Sequence, residues 1–174
     1  MITIVSATNR DGSITHKVAI LYSNLLNQLH VKNQILDLRH LPKDFVFSNF
    51  GSNSTDYFVK LVDQYINKAD RFIIVSPEYH GSYPGIFKAF IDCIGNDGIK
   101  EKKVALVGVS SGRAGNLRGL DHLSALFHHL RAEVYSSKPK LSVIHKLFND
   151  KDDVLDDSDT LQLIQNQING FLTF

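Results

Sequence analysis

The chain has few of the residues that define several classes of protein. Its 174 residues include one cysteine, four prolines and no tryptophan, and the formal net charge is only +1. The single cysteine, Cys93, cannot form a disulfide within the chain, and no second thiol exists for a zinc or iron–sulfur site. Because the net charge is close to zero, we expect no nucleic-acid partner and no binding to an acidic membrane surface.

Long apolar segments are lacking as well. No run approaches the roughly 18 apolar residues of a membrane span, and the start "MITIVSATNR" has no basic segment followed by a long apolar stretch. We therefore expect a cytoplasmic protein without a secretory signal. The largest cluster of one charge sign is the acidic stretch "NDKDDVLDDSD" at 149–159, which is typical of a solvated loop.

The sequence does contain a regular alternation of strand and helix patterns. Strand-like runs at 2–5, 34–38, 71–76 and 102–110 alternate with helical patterns at 14–29, 58–66, 84–94, 117–130 and 159–174, and a weaker strand lies within 133–144. Residues 44–55 show no clear period. This alternation predicts one α/β domain over residues 1–174, a doubly wound parallel sheet with helices on both faces. The flavodoxin-like order 2-1-3-4-5 suits five strands better than the six-stranded dinucleotide fold.

This strand order also predicts where a ligand binds. In such sheets the site lies outside the carboxyl ends of the strands, where the strand order reverses, here between the first and third strands. The loops at 6–16, 76–84 and 110–116 are the polar loops that reach this edge. The histidines lack the spacing of metal ligands and no nucleophile–base pair stands out, so we expect neither a metal site nor a catalytic side chain.

The first of these loops, "SATNRDGSITHK" at 6–17, combines hydroxyls and one arginine just before a helix. A helix N-terminus presents unpaired N–H groups and a partial positive charge, which suits the phosphate of a monoester. The alternative is structural, because Ser13 or Thr15 could serve only as the helix cap.

The second and third loops also allow two interpretations each. In "PEYHGSYPG" at 77–85, two prolines stiffen a loop whose backbone N–H groups could bond the edge of a flat heterocycle, with Tyr79, His80 or Tyr83 against its face. A plain turn with surface tyrosines is the alternative. In "SSGRAGNLRG" at 110–119, the small residues would let the backbone pass close to another group. The alternative is a plain glycine-rich connection before a helix.

Two of these segments carry a family resemblance. Residues 7–15 follow the pattern Gly-Ser-x-Arg-x-x-Ser-x-Asn, with alanine for the glycine and threonine for the first serine and the asparagine. Residues 77–85 follow Pro-Glu-Tyr-Asn-x-Ser-x-Pro-Gly with His80 for the asparagine, and "FKAFID" at 87–92 continues the match; Cys93 then replaces a common tryptophan. The chain thus resembles the NAD(P)H-dependent FMN reductases, flavodoxin-like relatives of quinone and azo-dye reductases. The resemblance weakens after about residue 145.

The resemblance implies a set of cofactor-binding residues. The FMN phosphate would bind the first loop and the isoalloxazine ring would lie between the second and third. The residues implied are Thr8, Arg10, Ser13 and Thr15 in the first loop, Pro77, Glu78, Tyr79 and His80 in the second, and Ser110, Ser111, Gly112, Arg113 and Gly115 in the third.

The resemblance implies an activity as well. Hydride would pass from NADPH or NADH to bound FMN, and electrons would then pass to a small acceptor such as a quinone, an azo compound, a metal ion or free flavin. A homodimer or homotetramer is also implied. The alternatives are a flavodoxin-type electron carrier that does not oxidise NAD(P)H, and a binding module without flavin.

Overall fold

A twisted parallel sheet forms the centre of the molecule. The computed structural model describes residues 1–50, 54–95, 97–148 and 154–174. The strands are β1 (Ile2–Ser6), β2 (Asn33–Asp37), β3 (Arg71–Pro77), β4 (Lys103–Val109), β5 (Glu133–Val134) and β6 (Lys140–Leu141). Their order is β2-β1-β3-β4-β5, with β6 also beside β4, and every pair is parallel. The predicted flavodoxin-like α/β arrangement is confirmed.

The helices are α1 (Ile14–Gln28), α2 (Phe45–Asn49), α3 (Asp56–Val62), α4 (Gly85–Ile94), α5 (Leu117–His129) and α6 (Ser158–Thr173). A π-helical segment, Asp63–Asn67, extends α3, and 3-10 turns occupy Leu38–His40 and Ile144–Lys146. Helix α2 lies in the segment without periodicity, because five residues are too few to produce a pattern. Residues 51–53 of that segment lie outside the described residues. In the part of the chain that the structure describes, no helix combines the length and apolarity of a membrane span.

The acidic stretch is described only in part. Residues 149–153 lie outside the described residues, so the predicted solvated loop is not described there. Asp157 is the N-cap of α6, and its carboxylate accepts a hydrogen bond from the Thr160 N–H at 2.9 Å. At least one of these acidic side chains therefore stabilises a helix start.

Both faces of the sheet are covered, which is why the central strands are apolar throughout. Successive side chains of a strand point to opposite faces. Phe72 and Ile74 of β3 pack with the aromatic side chains of α3, α4 and α5, whereas Ile73 and Val75 pack with α1 and α6. The polar loops at the carboxyl ends of β1, β3 and β4 therefore project from a rigid, buried platform.

The weak strand within 133–144 is two short strands. β5 pairs with Lys103 and Val104 at one end of β4, and β6 pairs with Gly108 and Val109 at the other. Pro139, just before β6, has no N–H to continue a ladder. The break directs the chain after β6 across the third polar loop, so this segment becomes a wall of the site described next.

Candidate functional site

A cleft opens at the carboxyl ends of β1, β3 and β4, where the strand order reverses. All three polar loops contribute to it, together with the segment after β6. The lining residues are Arg10, Ser13, Ile14, Thr15, Pro77, Glu78, Tyr79, Val109, Ser110, Ser111 and Ile144. Within this set, only Ile14, Val109 and Ile144 are not among the residues predicted from the sequence. The structure thus brings parts of the three loops together at one place.

The start of α1 forms one end of the cleft. Ser13 is the N-cap, with extended backbone, and its Oγ accepts a hydrogen bond from the Thr15 N–H at 3.2 Å. The capping alternative is therefore realised at Ser13. Capping uses one lone pair of the hydroxyl and leaves its proton free to be donated elsewhere. Ser13 can therefore cap the helix and still donate to a ligand.

Arg10 adds a full positive charge at the same end. Its side chain is exposed, and it forms no ion pair with any residue that the structure describes. The N-terminus of α1 carries a partial positive charge beside it. A guanidinium, hydroxyls and a helix start together favour an anion with several oxygen atoms, such as a phosphate.

Thr8 lies behind the cleft rather than on its wall. It has no exposed surface, and its Oγ1 accepts a hydrogen bond from the Arg10 N–H at 3.2 Å. The same oxygen lies 2.7 Å from the phenolic oxygen of Tyr79. Thr8 therefore reaches the cleft through Tyr79, a link between the first and second loops that no sequence pattern indicates.

The second loop is a tight β-hairpin. Tyr79 and Ser82 exchange two backbone hydrogen bonds, of 2.8 and 3.1 Å, around His80 and Gly81, which have φ values of 51° and 77°. Positive φ at both central residues is the pattern of a type I′ turn. The N–H groups of Glu78 and Tyr79 are bonded to the carbonyls of Val109 and Ser82, and the two turn residues lie outside the cleft lining.

Helix α5 supports this hairpin from outside. A Cβ at Gly81 would lie 3.1 Å from Nη2 of Arg118, whose guanidinium also lies 4.0 Å from the Glu78 carboxylate. The Ser82 hydroxyl lies 2.9 Å from Nδ1 of His122. Arg118 belongs to the third polar stretch at 110–119 but is not among the predicted site residues, and His122 lies on the flank of an ordinary amphipathic helix and belongs to no motif.

The third loop uses most of its polar groups for its own fold. The Gly112 N–H donates to Ser110 Oγ at 2.9 Å, and the Gly112 carbonyl accepts from Val143 at 3.0 Å. Ser110 accepts a further bond from the N–H of Ile144. Gly112, Arg113 and Gly115 are not part of the lining, and neither is His80 in the second loop. Only Ser110 and Ser111 of this loop face the cleft.

A small charged cluster lies behind the first loop. The buried Asp37 carboxylate accepts hydrogen bonds from Arg39, and His16 Nδ1 lies 3.3 Å from it without the alignment of a hydrogen bond. Burial lowers the pKa of His16, and the nearby Asp37 only partly opposes this. Burial alone would raise the pKa of Asp37, but the hydrogen bonds from Arg39 and the charges around it lower that pKa below its ordinary value. The cluster ties the end of β2 to the first turn of α1.

The described residues contain no group of three or more His, Cys, Asp or Glu side chains placed to hold a metal ion.

Comparison of folds places the chain in the flavodoxin-like class. FerB, a flavoenzyme NAD(P)H:(acceptor) oxidoreductase from Paracoccus denitrificans, superposes with a TM-score of 0.81 at 22% identity, covering 99% of this chain and 94% of FerB. A flavodoxin of Streptococcus pneumoniae gives a TM-score of 0.63 at 15% identity, covering 99% and 97%.

Sequence comparison then identifies the family. The chain belongs to the NADPH-dependent FMN reductase family, whose sequence model matches residues 1–143. The NADH-dependent FMN reductase SfnE of Pseudomonas putida is 25% identical over 133 residues, which is 76% of this chain and 70% of SfnE. An FMN-dependent NADPH-azoreductase of Staphylococcus saprophyticus is 32% identical over 100 residues, 56% of this chain and 53% of that enzyme. The resemblance inferred from the two loop motifs is confirmed.

Proposed function

We propose that the protein is an FMN-dependent oxidoreductase that takes hydride from NADPH or NADH and delivers electrons to a small acceptor. The observation that carries this proposal is the cleft, which joins a cationic, hydroxyl-bearing helix start to a rigid hairpin at the edge of the sheet. Two relatives support it by their names, an NADH-dependent FMN reductase and an FMN-dependent NADPH-azoreductase. The acceptor would be a quinone, an azo compound, a metal ion or free flavin.

The phosphate end of FMN fits the start of α1. Arg10 supplies charge, Ser13 supplies a hydroxyl donor, and Thr15 lines the same wall. Hydrogen bonds to a charged acceptor contribute about 1.5–3 kcal/mol each, more than bonds between neutral groups. This end therefore provides a large share of the expected affinity for FMN.

The ring end lies between the second and third loops. Pro77 and Glu78 line it from the second loop, and Ser110 and Ser111 line it from the third. The hairpin after Glu78 is held by two backbone hydrogen bonds between Tyr79 and Ser82, so this side of the cleft needs little reorganisation when a flat ring binds. The predicted role of Gly112 and Gly115 then becomes indirect, since Gly112 bonds to Ser110 and Val143 and Gly115 lies close to Lys140, whereas Arg113 is exposed outside the lining.

The residues that line the cleft bind and orient the flavin, and they do not perform the electron chemistry. Bound FMN supplies that chemistry, because its ring can accept a hydride from reduced nicotinamide and release electrons to a second substrate. The protein's part is to fix the ring beside the open side of the cleft.

Anaerobic mixing of the purified protein with NADPH or NADH tests the activity. We expect the flavin absorbance band to bleach in the presence of protein and one of the nucleotides. Free FMN with the same nucleotide is the control for uncatalysed reduction. A flavin band that neither nucleotide bleaches would reject the reductase and leave the flavodoxin-type carrier. A colourless protein that fails to quench FMN fluorescence would instead leave the flavin-free binding module.

We further propose that the chain assembles as a homodimer or homotetramer in the cytoplasm. Exposed apolar side chains near α2 and α3 support assembly, since Phe47 is 94% exposed and Phe50 is 62% exposed, with Tyr57 and Val59 also at the surface. Clustered exposed apolar groups are typical of interaction surfaces. Sedimentation velocity at micromolar concentration should give a multiple of the 19.5 kDa chain mass; a monomer would contradict the assembly.

A further inference from the structure

Tyr79 bridges the second and first loops. Its backbone is fixed in the hairpin by two hydrogen bonds to Ser82, and its phenolic oxygen lies 2.7 Å from Oγ1 of Thr8. Tyr79 lines the cleft and is partly exposed, whereas Thr8 is fully buried. The phenol therefore stands between Thr8 and the space that a ligand would occupy.

The direction of this hydrogen bond follows from the groups available to Thr8. A threonine hydroxyl has one proton to donate and two acceptor positions. The Arg10 N–H fills one acceptor position at 3.2 Å. Because Thr8 is fully buried, its own proton needs an acceptor inside the protein. Among the contacts of the described residues, the Tyr79 oxygen is the acceptor within reach, so Thr8 donates to Tyr79.

This direction leaves the Tyr79 proton for the cleft. The phenolic oxygen accepts from Thr8, so its O–H must point to another acceptor. The hydrogen bond to Thr8 brings the phenolic oxygen to the first loop, which also contributes Arg10 and Ser13 to the cleft lining. A hydroxyl that already accepts a hydrogen bond becomes a better donor, because chained hydrogen bonds polarise one another.

We infer that the Tyr79 hydroxyl donates a hydrogen bond to the phosphate of FMN and so selects FMN over riboflavin, which lacks that phosphate. Thr8 is a positioning residue that acts through Tyr79. This inference rests on the proposed function, because it requires a flavin in the cleft. It also exchanges the roles expected from the motifs, in which Thr8 holds the phosphate and Tyr79 lies at the ring.

Comparing the binding of FMN with that of riboflavin distinguishes an effect at the phosphate end of the cleft from an effect at the ring end. The full chain is freed of flavin, and the dissociation constants of FMN and riboflavin are measured by fluorescence quenching for the wild type and Tyr79→Phe. This substitution keeps the aromatic ring and removes only the hydroxyl. The Kd for FMN should rise roughly ten- to hundredfold, the range for a lost hydrogen bond to a charged group. The Kd for riboflavin should stay within about twofold.

A double-mutant cycle tests the role of Thr8. Thr8→Val should weaken FMN binding several-fold in the wild-type background but by less than about twofold in the Tyr79→Phe background. Thr8→Ser keeps a hydroxyl and should retain the wild-type Kd. Tyr57→Phe is the matched control, because it removes a phenolic hydroxyl that lies on α3 and contacts the His40 carbonyl at 3.3 Å. It should change neither dissociation constant.

The outcomes that overturn the inference differ from the one that overturns the proposed function. Equal weakening of FMN and riboflavin by Tyr79→Phe, or no weakening of FMN, would place the hydroxyl away from the phosphate. If Thr8→Val raised the Kd for FMN equally in both backgrounds, Thr8 would not act through Tyr79. A wild type that binds both flavins equally would overturn the inference and keep a flavin site. A wild type that binds neither would overturn both.

Discussion

The first and third polar loops look alike in sequence but serve the cleft differently. Each follows a central strand and contains hydroxyls, glycine and an arginine. Arg10 and Ser13 of the first loop line the cleft, whereas Gly112 and Gly115 of the third loop pack or bond within the protein. The first loop leads directly into α1, and Ser13 caps that helix. The backbone of the third loop instead accepts hydrogen bonds from Val143 and Ile144, in the segment after β6. Polar composition thus indicates the edge of the sheet where the cleft lies, but contacts with neighbouring segments decide which groups line it.

The largest expected effect is on stability, and it compares two glycines, one in each loop, that have nearly the same φ. Gly12 in the first loop has φ +64°, and a methyl group added there would meet nothing within 4 Å, whereas one added at Gly115, φ +60°, would lie 2.7 Å from Lys140 Cβ. Gly115→Ala should lower the free energy of unfolding by about 3 kcal/mol, from left-handed strain and overpacking together. Gly12→Ala should lower it by about 1 kcal/mol, from strain alone.

Urea denaturation of the two variants and the wild type measures this difference. The two substitutions add the same methyl group at nearly the same φ, so each is the control for the other. Equal losses of stability would show that β6 does not constrain the third loop at Gly115 as the structure indicates.

A smaller effect is expected from the two arginines. Arg10→Ala removes a charge that lines the cleft and should weaken FMN binding by about 2 kcal/mol, close to thirtyfold in Kd. Arg113→Ala removes the same charge from an exposed position outside the lining and should cost less than about 0.5 kcal/mol. Fluorescence titration with FMN measures both, and riboflavin shows whether the loss depends on the phosphate. If Arg113→Ala weakened binding as much as Arg10→Ala, the third loop would take part in holding the phosphate.

Much of this architecture could be predicted from the sequence, because it depends on local patterns. Apolar runs with helical or strand spacing gave the α/β class, and the position of the loops after strands gave the binding edge. Ser13 is an example of a residue whose place follows from its neighbours alone, since a hydroxyl directly before a helix caps it.

The remaining features depend on contacts between distant segments. Ile144 reaches the cleft because two-residue β6 pairs with Gly108 and Val109, and a strand this short leaves almost no periodic signal. Thr8 is fully buried and bonds to Tyr79, which lies 71 positions away in the chain. Neither contact can be inferred from spacing, which is why the motifs indicate the three loops but do not specify which of their side chains line the cleft.

The smallest expected effect concerns the charged cluster behind the first loop. Burial lowers the pKa of His16 below 6.5; Arg39 and His40 lower it further, and Asp37 opposes them. Between the lowered pKa and about pH 6.5, the unfolded chain binds a proton at this residue and the folded chain does not. The free energy of unfolding therefore decreases as the pH falls through that interval, and this contribution stops changing once the folded protein is protonated too.

His16→Gln removes this titration and should make the pH dependence of stability shallower. We expect the Tm of the variant to fall less than that of the wild type between about pH 7.5 and about pH 5.5. His128→Gln is the matched control, because it removes an imidazole from an exposed position on α5. Thermal melts of the three proteins across this range measure the slopes. A slope for His16→Gln as steep as that of the wild type would show that a protonated imidazole is tolerated beside Asp37, and that the first loop is not supported by a neutral histidine.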